Sequence, residues 1–175
     1  LKNYGLSLIL LFVTLISSSQ KKNDLDMMRD AFQDIKNAED IKSIMVFEIQ
    51  EPNGTDVNIL KAYQGAAQCM MANYVFSNLS KLKNFNDGKR IIEASILEKK
   101  NVENVYLRLL IQLSVPRMLN YHKNMEGDIL YLEDSMSTAA IDLTYKKLMM
   151  KNLISVSKKE DQKDALLKIN LAKSR

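Results

Sequence analysis

His122 is the only histidine in the 175-residue chain, and Cys69 is its only cysteine. A lone imidazole can act as a general base beside a carboxylate, which would make a hydrolase. A serine triad built on it needs a nucleophile on a strained turn, and no Gly-x-Ser-x-Gly run is present. One His and one Cys also leave no disulfide and no cluster for a structural zinc. The acidic candidates fare no better. Glu133-Asp134 point about 100° apart on a helix, and Asp24, Asp26, Asp30 and Asp34 lack the histidine that a transition metal favours. No Asp-x-Asp-x-Asp-Gly calcium loop occurs. These acids read as solvated faces and first-turn charges, and neither a metal nor a cofactor is expected.

Arg108 is more informative. It sits inside the most apolar expected helix of the mature chain, with Gln112 four residues on and therefore on the same helical face. A guanidinium there requires a carboxylate, because an unpaired buried charge costs several kcal/mol (on the order of 3–5). Glu103, Glu126 and Asp128 are the candidates, with Asp128 preferred because it falls near the start of the next helix. The result is a structural ion pair fixing two helices, or else a pocket that takes an anionic group. The binding surface expected from sequence is a groove between the face carrying Tyr63 and Asn73 and the helix carrying Arg108 and Gln112. Tyr121 stands at its rim.

Helices must position these groups. Only seven residues are Gly or Pro, too few for the many turns of a β-sandwich or barrel. Apolar residues recur at helical spacing almost throughout. Leu25, Met28 and Phe32 make one stripe, and a second segment covers residues 41–49. Glu51-Pro52-Asn53-Gly54-Thr55 is a turn, with Thr55 or Asp56 as the next cap. Ile59, Ala62, Tyr63, Ala66, Met70 and Tyr74 define a long helix, whose small residues let a neighbour come close. Residues 77–80 read as a connection, and Phe85, Gly88, Ile92 and Ile96 as the following stripe. Residues 102–113 are apolar nearly all round, which places that helix at the centre until Pro116 ends it. Met125, Ile129, Leu132 and Met136 carry another helix. Ser137-Thr138 then caps one bearing Ile141, Tyr145 and Met149. Residues 157–175 read as a polar tail or fraying helix. The expected fold is all-α, with six or seven helices in antiparallel hairpins that form a bundle or short solenoid over residues 20–156. Cys69, in an apolar helical stretch, and half of the ten methionines read as core.

Within this pattern, Leu82-Lys83-Asn84-Phe85 followed by Gly88 and Ile92 resembles the turn and second helix of a tetratricopeptide repeat. Ala72, Val75 and Leu79 then take first-helix positions. The resemblance covers roughly 30 residues and occurs once, so it implies hairpin packing rather than an array. The run Asn101-Val102-Glu103-Asn104-Val105-Tyr106-Leu107-Arg108-Leu109, with Gln112, Pro116 and Leu119-Asn120-Tyr121, is similar to small exported bacterial proteins of unknown function. That likeness implies a secreted helical fold and no activity.

Residues 1–19 have the layout of a secretory signal: Lys2, an uncharged apolar run over residues 5–16, then Ser17-Ser18-Ser19. Cleavage is expected between Ser19 and Gln20, leaving a periplasmic or secreted protein with no membrane span. A net charge of +4, with lysines scattered among acids, does not make a nucleic-acid surface. The sequence thus reads as a non-enzymatic binding or scaffold module for a protein or peptide. An envelope hydrolase using His122, and a small apolar-ligand carrier, are the alternatives.

Overall fold

The computed structural model describes residues 23–49 and 54–171. Most of its helices begin where a short polar side chain can take up the first unpaired backbone N–H groups. Asn23 opens α1 (Asp24–Gln33), and Asn37 opens α2 (Ala38–Met45) through a reciprocal capping box with Asp40. Ser77 caps α4 (Asn78–Glu98), and Asn101 caps α5 (Val102–Ser114) by a second box with Asn104. Asp142 caps α7 (Leu143–Val156). Between these lie α3 (Gly54–Met71), a single 3₁₀ turn (Arg117–Leu119), α6 (Met125–Ser135) and α8 (Glu160–Leu167). The described residues are therefore all-helical, with eight α-helices and no strand.

The hairpin of α3 and α4 is the most extensive helix pair. Its antiparallel register is fixed by contacts that run in opposite directions along the two chains: Asn58 with Ser95, Gly65 with Gly88, and Gln68 with Asn84. Gly65 and Gly88 let the backbones touch. A Cβ on Gly65 would lie 2.9 Å from the Gly88 carbonyl oxygen, and one on Gly88 would lie 2.6 Å from the Cys69 nitrogen. At the far end of the hairpin, Asn58 donates to the carbonyls of Ser95 and Lys99 at 2.8 and 3.2 Å. Asn104 donates to the Lys99 carbonyl at 2.9 Å, so two buried amides occupy the last carbonyls of α4.

The central helix is α5, which packs on α3, α4, α6 and α7. Every residue from Val102 to Leu113 is buried, as a stripe that goes all the way round requires. Val115 leaves the helical region before Pro116 and ends it. The α1–α2 pair lies against α3, while α8 rests on α6 and α7.

Several boundaries differ from the sequence reading. Residues 37–40 start α2 rather than only interrupting a stripe, because Asn37 and Asp40 cap each other's backbone. Residues 78–80 already belong to α4, and the turn lies at residues 72–77. Leu82 and Phe85 are therefore both inside α4, so Leu82 does not close the preceding helix as the repeat-like register has it. The last long helix starts at Asp142, which leaves Ser137, Thr138 and Ile141 outside it. Residues 160–167 form a helix whose Leu166 is buried, as is Ile169 beyond it. The expected leader and most of the turn at residues 51–55 lie outside the described residues. No helix among the described residues is long and apolar enough to cross a membrane.

Candidate functional site: a cleft floored by Gln112

Two buried ionic clusters flank α5. The first gathers around Glu103, 2% exposed in its opening turn. Arg29 of α1 donates to Glu103 through Nε at 2.9 Å and through Nη2, and the Tyr63 hydroxyl donates at 2.9 Å. The Tyr63 hydroxyl also meets that of Tyr145 in α7. Burial, and then the Glu103 charge, raise the Tyr63 phenol well above its ordinary value. Burial opposes the charge on Arg29, yet the bonds to Glu103 outweigh it and hold the guanidinium protonated. Four helices are tied at one point.

The second cluster confirms the partner chosen for Arg108. Its Nε donates to Asp128 Oδ2 at 2.8 Å and its Nη2 to Oδ1 at 2.5 Å, while Nη1 donates to Glu93 Oε2 at 2.8 Å. The other Glu93 oxygen accepts from the Tyr121 hydroxyl at 2.8 Å. Tyr121 is buried edge-on against Phe85, with Lys89 Nζ 4.9 Å from its ring centroid. Burial raises the Asp128 carboxyl above its ordinary value in spite of Arg108. With three N–H groups given to two carboxylates, Arg108 is a structural cross-link between α4, α5 and α6. It is not an open anion site.

Of the five residues expected to line a groove, Arg108, Gln112 and Tyr121 come together. Tyr63 belongs to the Glu103 cluster, and Asn73 lies exposed in the α3–α4 turn. The small residues of α3 bring its neighbours into direct contact on the side that faces α5. Tyr63, Ala66, Ala67, Tyr106 and Leu109 all lose their whole surface.

The concavity lies on the other side of Gln112. An open-mouthed cleft of about 1220 Å³ is walled by the segment following α5, by α6 and by α8. Leu113, Pro116, Met125, Ile129, Leu130 and Ala165 give it an apolar lining. Five cationic side chains (Arg117, Lys123, Lys158, Lys159 and Lys168) face three acidic ones (Glu126, Glu133 and Asp161). None of the five cations is ion-paired among the described residues. A smaller recess of about 340 Å³ adjoins the cleft beside Glu93 and Tyr121. Gln112, Asn120 and Lys123 line both spaces and so form the partition between them.

Gln112 is wholly buried, and neither its Nε2 nor its Oε1 has a hydrogen-bond partner among the described residues. A buried amide group left unpaired costs about 1–3 kcal/mol. Asn120, beside it, adopts left-handed backbone at φ 50°, a conformation Asn tolerates better than most residues. His122 is half-buried in the cleft with Glu126 nearby in the lining, while Asp128 is committed to Arg108. No three His, Cys, Asp or Glu side chains among the described residues are placed to hold a metal.

Sequence reasoning missed the α8 wall, whose signal was the pair Leu166 and Ile169 at helical spacing in a polar segment. It named Gln112 for its spacing from Arg108, and no local pattern could show that the amide would be unpaired.

No family model, curated protein or solved structure matches the chain.

Proposed function

We propose that the chain is a non-enzymatic helical binding module that holds a protein or peptide partner in the cleft beside Gln112. The observation that carries this reading is the lining itself. Apolar wall, unpaired cations and open mouth coexist in a volume above the roughly 300–1,000 Å³ of a typical small-molecule pocket. An extended segment with acidic side chains suits it. A nucleic-acid strand does not, because the lining offers no Phe, Tyr or Trp for stacking and sets three acids against the phosphates. An apolar-ligand carrier would need a closed, uncharged cavity. The signal-like residues 1–19 support a periplasmic or secreted setting.

A photo-crosslinking amino acid placed at Leu130, inside the cleft, tests the reading against the same group at Leu97. Leu97 is exposed on α4 and is not part of the cleft lining. A discrete adduct from Leu130 alone is expected. Absence of an adduct there, or the same adducts from both positions, would remove the cleft from consideration. The hydrolase reading retains one observation in its favour, the placement of His122 and Glu126 in the same cleft. The two readings separate on His122→Asn, which abolishes turnover in a hydrolase and leaves crosslinking intact in a binding module.

A further inference from the structure

Gln112 presents an NH2 donor group and a C=O acceptor side by side in one plane, and neither has a partner among the described residues. An extended peptide offers the matching pair, the N–H and the C=O of one residue, which face the same side of the strand. So does no carboxylate, no ammonium and no hydrocarbon. Gln112 lines both spaces together with Asn120 and Lys123. Both of those residues are exposed, and neither side chain has a hydrogen bond or ion pair among the described residues. An apolar residue at position 112 would avoid the unpaired amide, and its place on the floor of the cleft gives the amide a use.

We propose that Gln112 is the main-chain-binding residue of the cleft, hydrogen-bonded to the backbone of an acidic peptide held extended along the cationic rim. This rests on the reading of the cleft as a binding surface. The apolar wall then takes alternate side chains of the peptide, while Arg117, Lys123 and the α8-side lysines take the acidic ones. Arg108 has no part in it, being occupied by Asp128 and Glu93.

The test uses a fluorescein-labelled peptide of alternating Glu and Val, a copy N-methylated at one central peptide bond, and a copy with Lys for Glu. Fluorescence anisotropy is read with the wild-type protein and with Gln112→Met. The expected result is that the acidic peptide binds the wild type and the Lys copy does not. Gln112→Met should weaken binding about tenfold, the upper range for one net hydrogen bond, while raising the unfolding midpoint. N-methylation, which removes the N–H and leaves the C=O, should weaken binding to the wild type and cost nothing further on Gln112→Met, as coupling between the two groups demands. Equal binding by both proteins, or an equal methylation penalty on both, overturns the role of Gln112 and leaves the cleft reading standing. Equal binding of the Lys copy overturns the acidic preference. No binding of the acidic peptide to the wild type overturns both readings. Should Gln112→Met fail to fold, the N-methylated peptide on the wild type still decides whether a main-chain amide is read.

Discussion

Arg108 and Asp128 meet edge to edge across α5 and α6, with Nε and Nη2 aligned on the two carboxylate oxygens at 2.8 and 2.5 Å. Both side chains are nearly out of solvent, at 8% and 2% exposure, so neither can return to water if its partner is lost. Asp128→Ala is expected to cost about 3–5 kcal/mol in urea unfolding, because it leaves a buried guanidinium held by Glu93 alone. The double replacement Arg108→Met with Asp128→Leu should lie closer to the wild type than either single change. A double variant no more stable than Asp128→Ala would show that the pair itself, and not the stranded charge, carries the stability.

Gly88→Ala and Gly127→Ala should move stability in opposite directions. A methyl on Gly88 would lie 2.6 Å from the Cys69 backbone nitrogen, which belongs to α3 and cannot give way cheaply. Separation of the hairpin should cost about 1–3 kcal/mol or more. Gly127 lies in α6 with nothing within 4 Å of an added Cβ, so Ala there should add about 0.5–1 kcal/mol through helix propensity. Chemical denaturation of the two variants beside the wild type checks both signs.

The tyrosines give a pH prediction. Burial raises the phenols of Tyr63, Tyr106, Tyr121 and Tyr145, with Glu103 or Glu93 adding to it at all four. A raised folded value means that the folded state keeps its proton where the unfolded chain releases one near pH 10. The stability from these groups is therefore complete below about pH 10 and is lost as pH climbs through the folded values. Absorbance at 295 nm should show their ionisation only together with loss of helical circular dichroism. Full phenolate absorbance with the helices intact would contradict the buried placement.

Cys69 tests the same hairpin by chemistry. Burial pushes its thiol up to about 12, with Lys89 opposing slightly, and its Sγ lies 3.5 Å from the Phe85 carbonyl oxygen. The native protein should therefore resist a thiol-specific disulfide reagent at pH 8. It should react at the ordinary rate for a thiol of pKa about 8.5 once unfolded in guanidinium. Fast reaction of the folded protein would mean that α3 and α4 open locally.

The reach of the sequence can be judged from α5 and from the two ends of the fold. Its all-round apolar pattern places α5 at the centre, and the cost of an unpaired interior charge leads from Arg108 to Asp128. The Glu103 cluster was invisible by the same logic, since its partner Arg29 is 74 residues away and carries no local spacing signal. Helix starts at Asn37, Ser77 and Asp142 were misplaced or missed because polar residues that cap a helix look, in a row of letters, like residues that interrupt one. The groove expected between α3 and α5 meets a geometric obstacle. Small residues invite a neighbour, and they bring it into direct contact on the side that faces α5. The cleft that does exist needs α8, whose two buried anchors are set in a lysine-rich segment.

Glu103 and Arg108 stand five positions apart on α5, about 140° around its axis, one turned toward α1, α3 and α7 and the other toward α4 and α6. Oil alone would let such a greasy rod spin or slide among near-equal seats. Opposite signs on two sides make it a double-bitted key: rotated or shifted by a turn, it would strand a carboxylate in one lock and a guanidinium in the other. Mis-seated arrangements are thereby penalised twice, and the ridge that ends in Gln112 is left facing a single direction.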